Sequence, residues 1–165
     1  MGIEGSIAQQ YFAKWRILWD DMWGFKERNR RPPRDPVNAL LSLSYTLAGN
    51  SIGQLASTRG LDISLGFLHA PLNGRPSLAL DLLEPVRPWI DQWIWQQVDK
   101  GLLTPKQFSN NLEQGCRLDK EGRQAFFSAW YDEAEPWLEK HKRESLAHIL
   151  KTIRKYRPIP YNVFG

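Results

Sequence analysis

The chain has 165 residues, of which 42% are hydrophobic and 24% charged, which is typical of one globular domain and excludes a disordered tail or a collagen-like fibre. No apolar run approaches the roughly 18 residues of a membrane span, and the single cysteine, Cys116, excludes an internal disulfide and a cysteine-rich zinc site, so we expect a cytoplasmic protein without a membrane partner. The 22 basic and 18 acidic residues give a net charge of +4, which permits a nucleic-acid partner without requiring one.

The first predicted helix runs from Ile7 to Phe25, where apolar side chains recur with a helical period. Its inward face includes tryptophans at four-residue spacing, namely Trp15, Trp19 and Trp23. This spacing favours a core or interface stripe, although a platform for stacking bases and an exposed anchor for a protein partner stay open. An extended surface loop follows over residues 26–36, because its three prolines disfavour a helix, and it holds five basic and two acidic residues.

The second predicted helix is the centre of the domain. Asp35 can cap it and Pro36 suits its first turn. Its inward stripe is almost wholly apolar, as in a core helix. Residues 60–77 contain glycines and prolines and predict a loop with at most one helical turn.

The remaining predicted elements are also helices. One runs over residues 77–100, where Pro85 and Pro88 predict a kink or a division into two pieces. Another begins after Thr104, whose hydroxyl is a suitable cap, and a third is capped by Asp119.

The last predicted helix begins near Pro136, and its polar face is strongly basic. No pair of strands is convincing, because no alternating pattern is combined with turn residues. The predicted fold class is therefore all-α, with about six helices around a central apolar helix. We expect one helical domain over residues 1–157 and an extended or flexible tail over residues 158–165.

His69 is the histidine with the strongest claim to a functional role, because it lies in a loop before a helix that carries Asp81 and Glu84. Acids three residues apart share one helix face, and the leucines around them predict partial burial, which carboxylates tolerate when they are paired or bind a metal. One histidine nitrogen with several carboxylate oxygens suits Mn²⁺ or Mg²⁺. The alternative is capping, or ion pairs with Arg75 or Arg87.

Other charged residues have ordinary interpretations as well. Glu4 is by its position an acid in the first turn of a helix, where it interacts favourably with the helix dipole. His141 and His148 are expected to be solvated on the last helix. The basic loop could hold the phosphates of a nucleic acid or be a solvated run of charge; its arginines are Arg28, Arg30, Arg31 and Arg34.

Five stretches of the chain form a joint signature: residues 2–6 (Gly-Ile-Glu-Gly-Ser), 28–42 (Arg-Asn-Arg-Arg-Pro-Pro-Arg-Asp-Pro-Val-Asn-Ala-Leu-Leu-Ser), 66–70 (Gly-Phe-Leu-His-Ala), 74–88 (Gly-Arg-Pro-Ser-Leu-Ala-Leu-Asp-Leu-Leu-Glu-Pro-Val-Arg-Pro) and 115–123 (Gly-Cys-Arg-Leu-Asp-Lys-Glu-Gly-Arg). In this order and at these separations they resemble the catalytic helical domain of the CRISPR-associated integrase family, the endonucleases that insert new spacers. The similarity spans about residues 1–135, and the joint occurrence of the motifs is highly specific, although each alone is weak.

The resemblance implies a metal-dependent DNA integrase and endonuclease. Such an enzyme joins the 3′-hydroxyl of a short DNA fragment to a phosphodiester of a repeat by transesterification, and some members nick branched or single-stranded DNA. The implied ligands of Mg²⁺ or Mn²⁺ are Glu4, His69 and Glu84, with Asp81 as a neighbouring catalytic acid. The implied DNA-binding residues are Arg28, Arg30, Arg31, Arg34, Asn38 and Arg87.

The partners implied by the resemblance are DNA, as a spacer-precursor fragment and repeat DNA, the small ferredoxin-fold protein of CRISPR adaptation, and further copies of the chain in a dimer or higher oligomer. Family members normally carry a β-rich domain before the glutamate motif, and we expect this chain to lack it. Pro85, directly after Glu84, also departs from the family pattern, because proline removes a helix hydrogen bond. The alternative function is a non-catalytic DNA-binding or assembly module derived from such an integrase.

Overall fold

The computed structural model describes residues 3–111 and 113–155, with side chains from residue 5 onwards. Its described part contains six α-helices and one antiparallel hairpin. These elements are α1 (Ile3–Trp15), α2 (Pro36–Thr58), α3 (Ser77–Leu83), α4 (Arg87–Asp99), β1 (Phe108–Asn111), β2 (Gly115–Leu118), α5 (Lys120–Ala129) and α6 (Glu135–Lys155). The predicted all-α class is confirmed, and the hairpin is a small addition to it.

Helix α2 is the central element, and it packs against α3, α4 and α6. Its first turn is fixed as predicted, because Asp35 Oδ1 accepts a hydrogen bond from the Asn38 amide at 2.8 Å and Pro36 needs no N–H partner there. Leu40 and Leu41 are fully buried, and burial of each leucine side chain contributes roughly 1.5–3 kcal/mol. The helix therefore provides a rigid support for the loops around it.

The prediction of one helix over residues 7–25 is wrong. Helix α1 ends at Trp15, and two 3₁₀ turns follow, because Trp19 has an extended backbone (φ −111°, ψ 126°) that interrupts the helix. The bend places Trp19 against both neighbouring tryptophans, with ring centroids 5.0 Å from Trp15 and 5.6 Å from Trp23. The three tryptophans are 4–8% exposed, so the core prediction is confirmed, and they form neither a base-stacking platform nor an exposed anchor.

The helix predicted over residues 77–100 is divided in two, as its prolines predict. Helix α3 ends at Leu83, a 3₁₀ turn covers Glu84–Val86, and α4 begins at Arg87. Pro85 cannot donate a backbone hydrogen bond, so the regular helix is interrupted there. Glu84 consequently lies at the junction between two helices.

The hairpin was not predicted, and the helix predicted after Thr104 is wrong. The Gln107 side chain does accept a hydrogen bond from the Thr104 amide at 2.7 Å, but only one 3₁₀ turn follows before β1. The local helix signal is therefore real, but it extends no further than a single turn.

Contacts with the proline-rich loop explain why the hairpin forms. Gly115 begins β2 in a left-handed conformation (φ 72°), and a side chain there would collide with Pro32 and Pro33. The next amide, that of Cys116, donates to the Pro33 carbonyl at 2.7 Å. Because these contacts are tertiary, they override the local preference of the segment.

The C-terminal helices follow each other without a loop. Asp119 caps α5 as predicted, with its Oδ1 accepting from the Gly122 amide at 2.7 Å, and a π-helical turn then leads into α6. Lys142 joins α6 to α2, because its ammonium donates to Ser51 Oγ at 2.6 Å and pairs with Glu139 while its side chain is only 5% exposed.

The described part of the chain contains no helix that is both long and apolar enough to cross a membrane. The domain end predicted at residue 157 and the tail predicted over residues 158–165 lie outside the described residues. Both stay predictions.

Candidate active site

The loop between α2 and α3 closes over one buried carboxylate. Asp81 on α3 is 2% exposed, and its Oδ2 accepts hydrogen bonds from the amides of Phe67 at 2.5 Å and Leu68 at 2.9 Å. Its Oδ1 accepts a third hydrogen bond from the His69 amide at 3.0 Å. Three consecutive amides therefore surround the ionised carboxylate, and charge-assisted bonds of this kind fix the loop backbone beside His69.

The same carboxylate orients the imidazole of His69. Nδ1 of His69 lies 2.5 Å from Oδ1 of Asp81, so we infer that Nδ1 carries the proton and donates it. Burial acts to raise the pKa of Asp81, but the hydrogen bonds from the loop amides and from His69 outweigh it and leave that pKa below its usual value. Nε2 has no hydrogen-bond partner among the described residues, and the imidazole is 25% exposed. Nε2 is thus available to a ligand.

Gly66 allows this close approach of loop and carboxylate. A Cβ at this position would lie 2.7 Å from Oδ2 of Asp81, 2.7 Å from the His69 carbonyl oxygen and 2.8 Å from Cβ of Ser77. These separations are too short for any side chain. The Gly-Phe-Leu-His sequence therefore combines a glycine that admits the carboxylate with three amides that bind it.

Glu84 and Arg87 form an ion pair at the junction of α3 and α4. Oε2 of Glu84 is 3.0 Å from Nε of Arg87, although this N–H makes no hydrogen bond. The Glu84 side chain is 39% exposed, and pairs with this exposure are weak. The Arg87 guanidinium lies over the ring of Tyr45, 4.4 Å from its centroid. Glu84 is therefore accessible and can exchange its partner for a ligand.

A buried polar network adjoins Arg87, and its residues were not predicted as functional. Asp91 on α4 is 1% exposed and accepts hydrogen bonds from the hydroxyls of Tyr45 on α2 and of Tyr11 on α1, the latter at 2.9 Å. Burial raises the pKa of Asp91 to about 6, against the opposing effects of both hydroxyls and of Arg28 and Arg87. The sequence signal that could have identified Asp91 was an acidic residue between the apolar residues Ile90 and Ile94 of α4.

Arg28 and Asn38, both predicted to contact DNA, connect the basic loop to the start of α2. Nη1 of Arg28 donates to Asn38 Oδ1 at 2.7 Å, and its Nη2 donates to Ser42 Oγ at 3.2 Å. Nδ2 of Asn38 donates to the Glu27 carbonyl at 2.8 Å. Burial lowers the pKa of Arg28 to about 10. These contacts fasten the first part of the loop to the start of α2.

The other predicted loop arginines, Arg30, Arg31 and Arg34, are exposed. The first two border an open cleft of about 820 Å³, together with Arg117 and Arg123. The rest of the lining includes apolar side chains of α2 and α5, the loop prolines Pro32 and Pro33, and polar side chains such as Ser42, Thr46 and Glu113. This part of the surface combines positive charge with an apolar floor.

The structure brings each of two predicted ligands, His69 and Glu84, into contact with another predicted site residue. His69 is joined to Asp81, and Glu84 is paired with Arg87. Glu4 lies in the first turn of α1, and its side chain is outside the described part of the chain. Among the described side chains, no group of three His, Cys, Asp or Glu residues could hold a metal ion. A complete ligand set therefore depends on Glu4.

Comparison with known proteins gives consistent results. The family model described as CRISPR associated protein Cas1 matches residues 1–132. The CRISPR-associated endonuclease Cas1 4 of Methanospirillum hungatei is 37% identical over 143 residues, which cover 86% of this chain and 40% of that protein. The CRISPR-associated endonuclease Cas1 3 of Thermus thermophilus is 41% identical over 130 residues, which cover 78% and 39%. The chain spans about two fifths of the length of these curated relatives.

Solved structures share the helical fold. A Cas1 protein from Thermotoga maritima matches with a TM-score of 0.82 and 26% identity, covering 96% of this chain and 52% of that one. A casposase bound to an integration product matches with a TM-score of 0.71 and 26% identity, covering 79% and 38%. Because the family model covers most of the sequence and the fold agrees with that of a solved family member, this chain belongs to the CRISPR-associated Cas1 family.

Proposed function

We propose that this chain supplies the catalytic centre of a metal-dependent DNA integrase and endonuclease of CRISPR spacer acquisition. The observation that carries the proposal is the contact between His69 Nδ1 and the buried Asp81 carboxylate, which leaves Nε2 available. A histidine held in this way is typical of metal sites. The Cas1 endonuclease relatives and the casposase bound to an integration product support the same function.

The donor set fits a hard divalent cation. His69 would contribute Nε2, Glu84 its exposed carboxylate, and Glu4 a second carboxylate. One nitrogen with carboxylate oxygens suits Mg²⁺ or Mn²⁺ better than a soft metal. Asp81 is a positioning residue in this proposal, because its oxygens already accept hydrogen bonds from three amides and from His69.

The proposed reaction is a transesterification of DNA. The 3′-hydroxyl oxygen of a DNA fragment forms a bond to phosphorus at a repeat boundary, the bond from that phosphorus to the leaving 3′-oxygen breaks, and the leaving oxygen takes up a proton. With water as the attacking group, the same displacement nicks DNA. A bound divalent cation supplies neutralisation of phosphate charge and activation of the attacking oxygen. Arg87, beside Glu84, would contact the phosphate that reacts.

The exposed arginines of the basic loop would hold the rest of the DNA. Arg30, Arg31 and Arg34 can each neutralise a phosphate, whereas Arg28 and Asn38 fix the loop that carries them. Structures of Cas6–RT–Cas1–Cas2 complexes contain the same fold. We therefore include a second copy of the chain and the small ferredoxin-fold adaptation protein among the proposed partners.

The test is nicking and strand joining of labelled DNA in Mg²⁺ or Mn²⁺. His69→Ala and Glu84→Ala should each lower product formation by about a hundredfold or more, because each removes a proposed ligand. Chelation of the metal should abolish the product. His148→Ala and Glu144→Ala are matched controls, because they change the same residue types at exposed positions on α6, and they should keep the activity.

Two outcomes would contradict this function. Full activity of the His69 and Glu84 variants would show that the reaction uses other residues. DNA binding by the unmodified chain, without any product in the presence of the adaptation protein, would favour a non-catalytic DNA-binding or assembly module.

A further inference from the structure

One hydrogen bond between helices has no part in the reaction proposed above. The Tyr11 hydroxyl donates to Asp91 Oδ2 at 2.9 Å and joins α1 to α4 across 80 positions of sequence. Asp91 is 1% exposed, whereas Tyr11 is 38% exposed. Loss of a hydrogen-bond donor to a buried carboxylate costs free energy of folding. This bond therefore restrains α1 at a position where Tyr11 itself is partly exposed.

The N-terminal half of α1 has few other restraints. Residues 5–10 are exposed, and Ile7 is 62% exposed. The ring contacts of α1 with Phe25 begin at Phe12, with centroids 6.5 Å apart, and continue at Trp15. Tyr11 is therefore the first described side chain of α1 with a hydrogen bond or ring contact to another element.

The position of Tyr11 on α1 relates this restraint to the candidate active site. Glu4 precedes Tyr11 by seven residues, which is about two helical turns, so the two positions lie on the same face of α1. On α4, Asp91 is close to Arg87, which is paired with Glu84. One carboxylate thus connects the helix that carries Glu4 with the junction that carries Glu84.

We propose that Asp91 is a positioning residue for catalysis: through Tyr11 it fixes the orientation of α1 and so places Glu4 with respect to His69 and Glu84. The role of Glu4 in this inference rests on the proposed function. The restraint of α1 by Asp91 does not, and it can be measured without metal or DNA.

The test compares two tyrosine variants of the full chain. Tyr11→Phe removes one hydroxyl and keeps the ring. We expect amide hydrogen exchange over residues 5–11 to accelerate about tenfold, with α2 and α4 unchanged, and Mn²⁺ affinity by calorimetry to fall roughly three- to tenfold. Tyr45→Phe is the matched control, because it removes the other hydroxyl from the same carboxylate but on α2. It should leave exchange of α1 within about twofold of the unmodified chain.

Each outcome separates the restraint from the proposed function. Unchanged exchange of α1 in Tyr11→Phe overturns the restraint, and so does equal acceleration of α1 in Tyr45→Phe, which would indicate general loosening. Faster exchange with unchanged Mn²⁺ affinity overturns the positioning of Glu4. If the unmodified chain binds no Mn²⁺, the proposed function fails, and the exchange comparison still decides the restraint.

Discussion

Individual residues around His69 show what the spacing of polar side chains can and cannot predict. Asp81 and Glu84 are three residues apart, so the sequence places both on one helix face. Their roles differ because Asp81 lies under the loop, which approaches it closely at Gly66, whereas Glu84 lies in the 3₁₀ turn after α3 with its side chain 39% exposed. The sequence therefore predicts that these residues belong to one site. It does not predict that Asp81 is buried and orients His69 while Glu84 stays accessible to a ligand, because this difference depends on the path of the loop.

Gly66→Ala should damage the site without changing any polar group. A Cβ would displace Asp81 Oδ2 or the His69 carbonyl, and overpacking of this kind costs about 1–3 kcal/mol. Urea unfolding measures that loss, and DNA joining at a temperature where the variant is folded should show a further loss from misplacement of His69. Gly49→Ala is the control, since a Cβ there makes only ordinary contact with Leu83. A Gly66→Ala chain with unchanged stability and activity would contradict the proposed packing.

Whether the end of a helix or strand could be predicted depends on how far apart in sequence the residues that define it lie. The start of α2 at Pro36 and the break at Pro85 were predicted correctly, because a cap and a proline act within a few residues. The end of α1 and the hairpin were not predicted. Trp19 bends away from the helix within an aromatic cluster, and Gly115 packs on the proline-rich loop far from it in sequence. Local signals cannot contain such contacts.

The junction of α1, α2 and α4 predicts a pH-dependent stability. Burial raises the pKa of Asp91 from 3.8 to about 6, so the folded chain holds this proton more tightly than the unfolded chain. The stabilisation is complete below about pH 4 and is lost as the pH rises through 6. The groups that face the carboxyl are Tyr11, Tyr45, Arg28 and Arg87.

Asp91→Asn cannot titrate, so its stability relative to the unmodified chain should rise by up to about 3 kcal/mol between pH 4 and pH 7. Urea unfolding at several pH values measures this difference. Asp99→Asn, at an exposed position of the same helix, should show no such trend. The same stability difference for Asp91→Asn at pH 4 and pH 7 would contradict the raised pKa.

The molecule as a whole carries only a small net charge, +4, but four of its exposed arginines line one cleft. Arg30 and Arg31 border the cleft that also contains Arg117 and Arg123. The sequence predicted the basic loop, whereas the cleft is formed by segments distant in sequence. Local charge of this kind, and not the net value, determines the attraction of a phosphate backbone.

Substitution of the exposed loop arginines should lower the affinity for DNA and should also make that affinity less dependent on salt concentration. Arg30→Ala, Arg31→Ala and Arg34→Ala should each reduce the slope of log affinity against log salt concentration by roughly 1, with similar losses for unrelated DNA sequences. Fluorescence anisotropy over a salt series measures both quantities. Lys140→Ala, at an exposed position on α6, is a control for the loss of one positive charge. An unchanged slope in all three loop variants would show that DNA binds elsewhere.

The basic loop is fastened at two points in the free protein. Asn38 holds its first part at the Glu27 carbonyl, and the Cys116 amide holds its middle at the Pro33 carbonyl. A flexible segment would lose about 1–2 kcal/mol of backbone conformational entropy for every residue ordered on binding. The backbone of this loop is already ordered in the folded protein, so its arginines lose only side-chain conformational entropy when they bind a phosphate. Association of DNA with this surface should therefore be limited by encounter and charge, and not by a search for the loop conformation.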